Sequence, residues 1–227
     1  MSTLLLRLAA PLQAWGSNAK FERRSTERVP TKSGVLGMVA SALGRRRDED
    51  VGDLLELRFG VRVDREGALL RDFHTARRDK VAYVTNLYYL ADAIFLVGLE
   101  GTEEELTVID GALCRPAYPL FLGRRSCPPE GRLSLGIRSG KSILEALQEE
   151  PMLTTDNVVS HVRLVYDAGT EEGFSYMQRD LPLSYASEHR KYGFRRVSEK
   201  SVANETVNTG EVKHLGTDHD PFAEWRE

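Results

Sequence analysis

Apolar residues run almost unbroken from Thr3 to Leu8 and stop before Pro11, which predicts a buried first strand. Val35, Met38, Val39 and Ala42 then recur at helical spacing. Thr31 or Ser33 suits the N-cap, and Gly44 suits the left-handed residue past the end. Residues 57–63 alternate and predict a half-buried strand. Residues 69–75 and 83–90 are rich in β-formers and flank a charged stretch at 76–80, the pattern of a protruding hairpin. Residues 93–99 are the most apolar run and predict a central strand. Thr102, followed by Glu103, Glu104 and Glu105, opens a helix through Leu113. Strand, helix, hairpin, strand, helix needs one more strand to complete a split βαβ, ferredoxin-like pattern. Beyond it, Ser142 caps a short acidic helix ending near Glu150. Residues 161–166 alternate as a strand, with a partner beginning at residues 174–177.

Charge changes this picture in one place. Across residues 20–47, Lys20, Arg23, Arg24, Arg28, Lys32, Arg45, Arg46 and Arg47 face only Glu22 and Glu27. A basic loop opening into a helix N-terminus is an anion site in outline, because free N–H groups and the positive dipole end point at whatever lies there. The same pattern fits a capped core helix with solvated charges on its loop. A second cationic stretch, Gly123-Arg124-Arg125-Ser126, is followed by Pro128-Pro129 and reads either as a phosphate-holding loop or as a rigid surface turn. Tyr83, Tyr88 and Tyr89 beside Arg77, Arg78 and Lys80 form the aromatic and basic mix that suits single-stranded RNA. Cross-strand tyrosine pairs explain them equally well. Trp15 reads as packed under its loop.

The totals bound the class. The 227 residues carry a formal charge of −3, 41% apolar residues and 29% charged ones, which argues against indiscriminate nucleic-acid coating but not against a basic groove. Cys114 and Cys127 have no metal-ligand spacing and read as reduced thiols. No apolar run reaches membrane-span length and no signal peptide is evident, so the expectation is a cytoplasmic chain.

No catalytic signature stands out. The five histidines lack HExxH spacing and no GxSxG elbow occurs, so neither a metal nor another cofactor is expected. Residues 136–142 resemble a phosphate-binding loop but fall one residue short, with Leu135 where glycine is required. A metal-free ribonuclease needs only a base and an acid near the scissile phosphate. His74, or Tyr185 with His189 and Lys191, supplies those residue types.

Several strings together resemble the CasD family of type I-E CRISPR Cascade complexes. They are Leu6-Arg7-Leu8 leading into Pro11-Leu12-Gln13-Ala14-Trp15-Gly16; Phe21 and Glu22; Pro30-Thr31-Lys32-Ser33-Gly34-Val35-Leu36-Gly37; Leu70-Arg71-Asp72-Phe73-His74-Thr75; and Tyr118 followed by Leu122-Gly123-Arg124-Arg125-Ser126-Cys127-Pro128. Residues 134–157 and the C-terminal tail align poorly. The resemblance implies an α+β, ferredoxin-like (RRM-related) RAMP fold with an antiparallel sheet, a β-hairpin thumb near 73–90 and an irregular C-terminal segment. The chain turns polar after Ala203, so composition predicts one domain over 1–203 and a polar tail at 204–227, with Phe222 and Trp225 as its candidate docking residues. The resemblance also implies a non-catalytic subunit that caps the 5′ handle of the CRISPR RNA and neighbours the CasC backbone subunit and the CasA large subunit. Target DNA would be met only through the complex. Related type I-C proteins cleave the repeat, so a metal-independent endoribonuclease stays the alternative. On this reading Arg23, Arg24, Thr31, Lys32, Ser33, Arg124, Arg125 and Ser126 clamp phosphates, while His74, Arg77 and Arg78 lie on the thumb.

Overall fold

The computed structural model describes residues 1–16, 23–78, 81–154, 161–169 and 173–203. The first strand, β1 (Ser2–Ala9), has its leucines sorted by a period of two: Leu4, Leu6 and Leu8 enter one apolar cluster and Leu5 another. A short β2 (Leu12–Gln13) and β3 (Arg23–Arg24) precede helix α1 (Lys32–Ala42). Thr31 caps α1 by accepting from the Gly34 N–H, and Gly44 at φ +80° ends it, with Arg45 N donating to Ala40 O. After the single turn α2 (Gly52–Leu55) come β4 (Arg58–Arg65), a long hairpin of β5 (Ala68–Arg78) and β6 (Val81–Ala91), and the fully buried β7 (Ile94–Gly101). Helix α3 (Glu103–Cys114) opens on a reciprocal Thr102–Glu105 capping box, and β8 (Ser134–Arg138) follows.

The sheet places β4, β7, β1 and β8 side by side, each pair antiparallel. That is the strand order of the split βαβ unit expected above, with β8 as the missing strand and α1 and α3 packed on one face. On the opposite face lies α4 (Ile143–Glu149), capped by Ser142. It settles over Gly60 and Gly98, paired across β4 and β7; a Cβ at either position would stand 3.0 Å from Ile143. The fully buried Arg62 closes the far end of α4. It donates to the carbonyls of Leu147, Glu150 and Pro151 and forks onto Asp64, so no part of its charge is left unmatched.

Three more strands widen this sheet: β9 (His161–Asp167), β10 (Tyr176–Ser184) and β11 (Lys191–Ala203), in the order β10-β11-β9-β4. The hairpin partner expected for residues 161–166 is thereby corrected. β9 lies between β4 and β11, and β10 pairs only with β11, because β11 is long enough to back both. The polar tail expected at 204–227 lies outside the described residues.

A buried charge cluster ties this extension to α1. The Lys32 ammonium reaches Asp167 at 3.0 Å and the Leu57 carbonyl at 2.7 Å. Arg195 bonds Asp167 and Asp180 at 2.7 Å each, and Asp180 accepts the Lys32 backbone N–H at 2.8 Å. Burial opposes the Arg195 charge, but the hydrogen bonds and charges of Asp180 and Asp167 outweigh it and hold its pKa above the ordinary value. Two cations and two carboxylates balance. Asp180→Ala takes from Arg195 one of its two carboxylates and from the helix start its acceptor, and is expected to cost about 3–5 kcal/mol, read as a lower urea midpoint with an unchanged m-value.

Candidate nucleic-acid interface

The hairpin is anchored at its base along one edge. β6 pairs β5 over its whole length, and on its other edge it pairs β2 at Leu90 and Ala91, then β3 at Asn86 and Leu87. The β3 pairing is parallel and brings residues 23–24 onto the hairpin. Phe73, Asn86 and Arg23 therefore stand in one row across three strands, about 10 Å wide.

Trp15 fixes the approach of this segment. Its indole is buried, donates to Gln13 Oε1 at 3.1 Å, and fills the space that a side chain at position 34 would need. Its backbone N–H donates to Thr26 Oγ1 at 2.8 Å, and its carbonyl accepts from Glu27 N at 2.7 Å. The Gly123 turn docks on the residue before it. Ala14 N donates to the Leu122 carbonyl, and Gly123 adopts φ +86° with its backbone pressed on Ala14, where a Cβ would fall 1.6 Å from the carbonyl oxygen. Only glycine fits.

The two cationic stretches meet here. Arg124 donates from Nη2 to the Arg24 carbonyl at 2.7 Å, and its guanidinium lies 4.5 Å from the centre of the Tyr89 ring. Its Nη1 is buried without a hydrogen-bond partner. Arg24, Arg125 and Ser126 are exposed around it. On the hairpin, His74 is exposed and bonded to Asp72 at 2.7 Å, and Arg71 donates to Asn86 at 3.0 Å. Arg77 is exposed near the end of β5. The side chains of Arg23 and Arg78 lie outside the description, although both residues are in strands.

The helix start differs from the sequence expectation. Thr31, Lys32 and Ser33 are all buried. The anion at the N-terminus of α1 is internal: it is the Asp180 carboxylate, and Lys32 is turned inward onto Asp167. These three residues build the wall behind the site, and the exposed arginines form its surface. Tyr185 donates to the Ser33 carbonyl, and burial pushes its hydroxyl far above the ordinary value, which removes it as a general base. Among the described residues no cluster of His, Cys, Asp and Glu could hold a metal ion. Tyr89 as the platform under Arg124, and the Asp167–Asp180 pair, escaped the sequence reading. The tyrosine was visible only as one of three, and the aspartates are separated from Lys32 by well over a hundred residues.

An α+β sheet of split βαβ order, with a long hairpin and an arginine-lined turn at its base, defines a protein of the ferredoxin-like class. Residues 3–198 match the family described as CRISPR-associated protein (Cas_Cas5), and the chain belongs to it. It is 40% identical over 159 residues to "CRISPR system Cascade subunit CasD" of Escherichia coli strain K12, covering 60% of this chain and 70% of that protein. A chain of a "CRISPR RNA-guided surveillance complex" superimposes with a TM-score of 0.76 at 35% identity, covering 88% of this chain and 90% of the other. The "Crystal structure of Cas protein" gives 0.74 at 40% identity, covering 90% and 97%.

Gly123→Ala is expected to cost about 1–3 kcal/mol from backbone strain alone. Thermal unfolding should show a midpoint several degrees lower, whereas Gly140→Ala, also at positive φ but with open space around it, should lose less.

Proposed function

We propose that this chain is a subunit of a type I-E CRISPR Cascade surveillance complex, and that it binds and caps the 5′ handle of the CRISPR RNA without cutting it. Family membership and the likeness to CasD support the assembly. The observation that carries RNA binding is the meeting of Arg124 and the Arg24 segment over Tyr89. An unmatched buried guanidinium donor costs roughly 1–3 kcal/mol, which a phosphate oxygen would offset. Arg24, Arg125 and Ser126 add phosphate contacts, while Arg71, His74, Arg77 and Arg78 follow the RNA along the hairpin. Phosphate contacts position the RNA, and unstacked bases supply the reading. In the assembled complex its neighbours are the CasC backbone subunit and the CasA large subunit, target DNA is reached only through them, and the compartment is the cytoplasm.

The test is fluorescence anisotropy of handle RNA across a salt series. Arg125→Ala, an exposed residue, should weaken binding and flatten the log–log salt slope by about 0.7, and the double Arg124→Ala/Arg125→Ala change by about twice that. A slope identical to wild type sinks the direct phosphate contact.

One observation favours a nuclease instead: the Asp72–His74 pair, a carboxylate orienting an imidazole. Unprocessed repeat RNA incubated without metal distinguishes the readings. A discrete product that disappears in His74→Ala would make this chain the processing enzyme, and intact RNA keeps it a binding subunit.

A further inference from the structure

A cavity of about 170 Å³ opens between the segment leading into α1 and the outer strands β9, β10 and β11. Val29, Pro30, Val165 and Val197 give it apolar walls. Room for roughly five or six waters is the scale of one heterocyclic base. Asp180 and Arg195 on its floor are engaged with each other, and Thr31 in its wall caps α1. Arg28, Tyr176 and Gln178 make no side-chain hydrogen bond to another described residue. Arg163 reaches Glu199 only at 3.5 Å and Glu66 at 3.6 Å, and its Nε is buried without a partner. Desolvation, reinforced by Glu199, pushes the Tyr176 hydroxyl up, so its ring is neutral.

We propose that this cavity is a guanine pocket that takes one unstacked base of the bound RNA, with Arg163 and Glu199 as its readers. The proposal deepens the RNA-binding reading above and rests on it. Guanine carries two acceptors, O6 and N7, next to two donors, N1–H and the 2-amino group. An arginine beside a carboxylate matches that rim: Arg163 donates to the acceptors and Glu199 accepts from the donors. Adenine puts an amino group where O6 would be and has neither N1–H nor a 2-amino group, so it keeps only N7 for Arg163 and neither of guanine's donors for Glu199. Tyr176 offers a ring face for stacking, and Gln178 a further amide at the edge. The pocket lies beside the cradle in sequence. Arg28, at its mouth, follows Arg24 by four residues, so at most about 14 Å of backbone separates the phosphate clamp from the base site.

The test compares three versions of one short single-stranded RNA, with guanine, inosine or adenine at a single position that is moved along the strand, against the full chain. At one position guanine should bind about tenfold tighter than adenine, with inosine between them because it lacks the 2-amino group. Glu199→Gln, on an exposed side chain, should erase that preference and leave the adenine RNA bound as before; Arg163→Gln should do the same. Equal binding of all three RNAs by the wild-type chain overturns the pocket and leaves the RNA-binding reading standing, as does a preference that survives Glu199→Gln. If no RNA binds, the broader reading fails, and titration of the same chain with GMP or AMP decides the pocket. Amide shifts at Arg163 and Glu199 specific to GMP keep it as a free-nucleotide site, and no GMP-specific shift overturns it.

Discussion

Four charges at the N-terminus of α1 hold the molecule in its working shape. Lys32, Asp167, Asp180 and Arg195 come from a helix and three strands that are far apart in the chain, and together they neutralise one another in a buried setting. Asp167 also accepts the Phe59 N–H at 2.9 Å, so β4 joins the same knot, and Arg195 stacks 5.1 Å from the Phe59 ring centre. Well-packed apolar groups of similar volume often hold such elements as tightly. What charges add is direction: only one docking of α1 on β10 and β11 pairs every donor with an acceptor. The segment that enters α1 inherits that orientation, and with it the position of Arg24.

The surface arginines depend on a second, uncharged constraint. Trp15 stands between Gln13 and Gly34 while its backbone holds residues 26–27, and Ala14 holds the Gly123 turn. Adjacent residues on one short segment thus anchor both cationic stretches. Their convergence follows from backbone contacts and from two glycines that permit close approach, and the arginines need only be carried along.

Much of this architecture could be read from the residues. Periodicity and caps locate β1, α1, β4, β7, α3, α4 and the hairpin, since each depends on neighbours within a few positions. The strings around Trp15 and Gly123 marked two loops that meet at Ala14. Thr31, Lys32 and Ser33 were legible as a helix start but not as a buried one, because the anion they serve is Asp180, 148 residues away from Lys32. No local pattern marks an aspartate in an edge strand as the partner of a remote helix. The pairing of β9 with β11 rather than β10 was hidden for the same reason: alternation reveals a strand, while its neighbour is chosen by the whole sheet.

The hairpin is built unevenly. Near its root β6 is flanked on both sides, by β5 and by β2 and β3, whereas beyond Asn86 its partner among the described residues is β5. Mechanically it is a cantilever, clamped at its root by the strands on either side of β6. A load on the outer arm becomes a bending moment at the Arg23–Asn86 and Arg24–Leu87 rungs. Those rungs carry the strand whose carbonyl Arg124 grips, so strain imposed on the arm is delivered to the cationic cradle as torque.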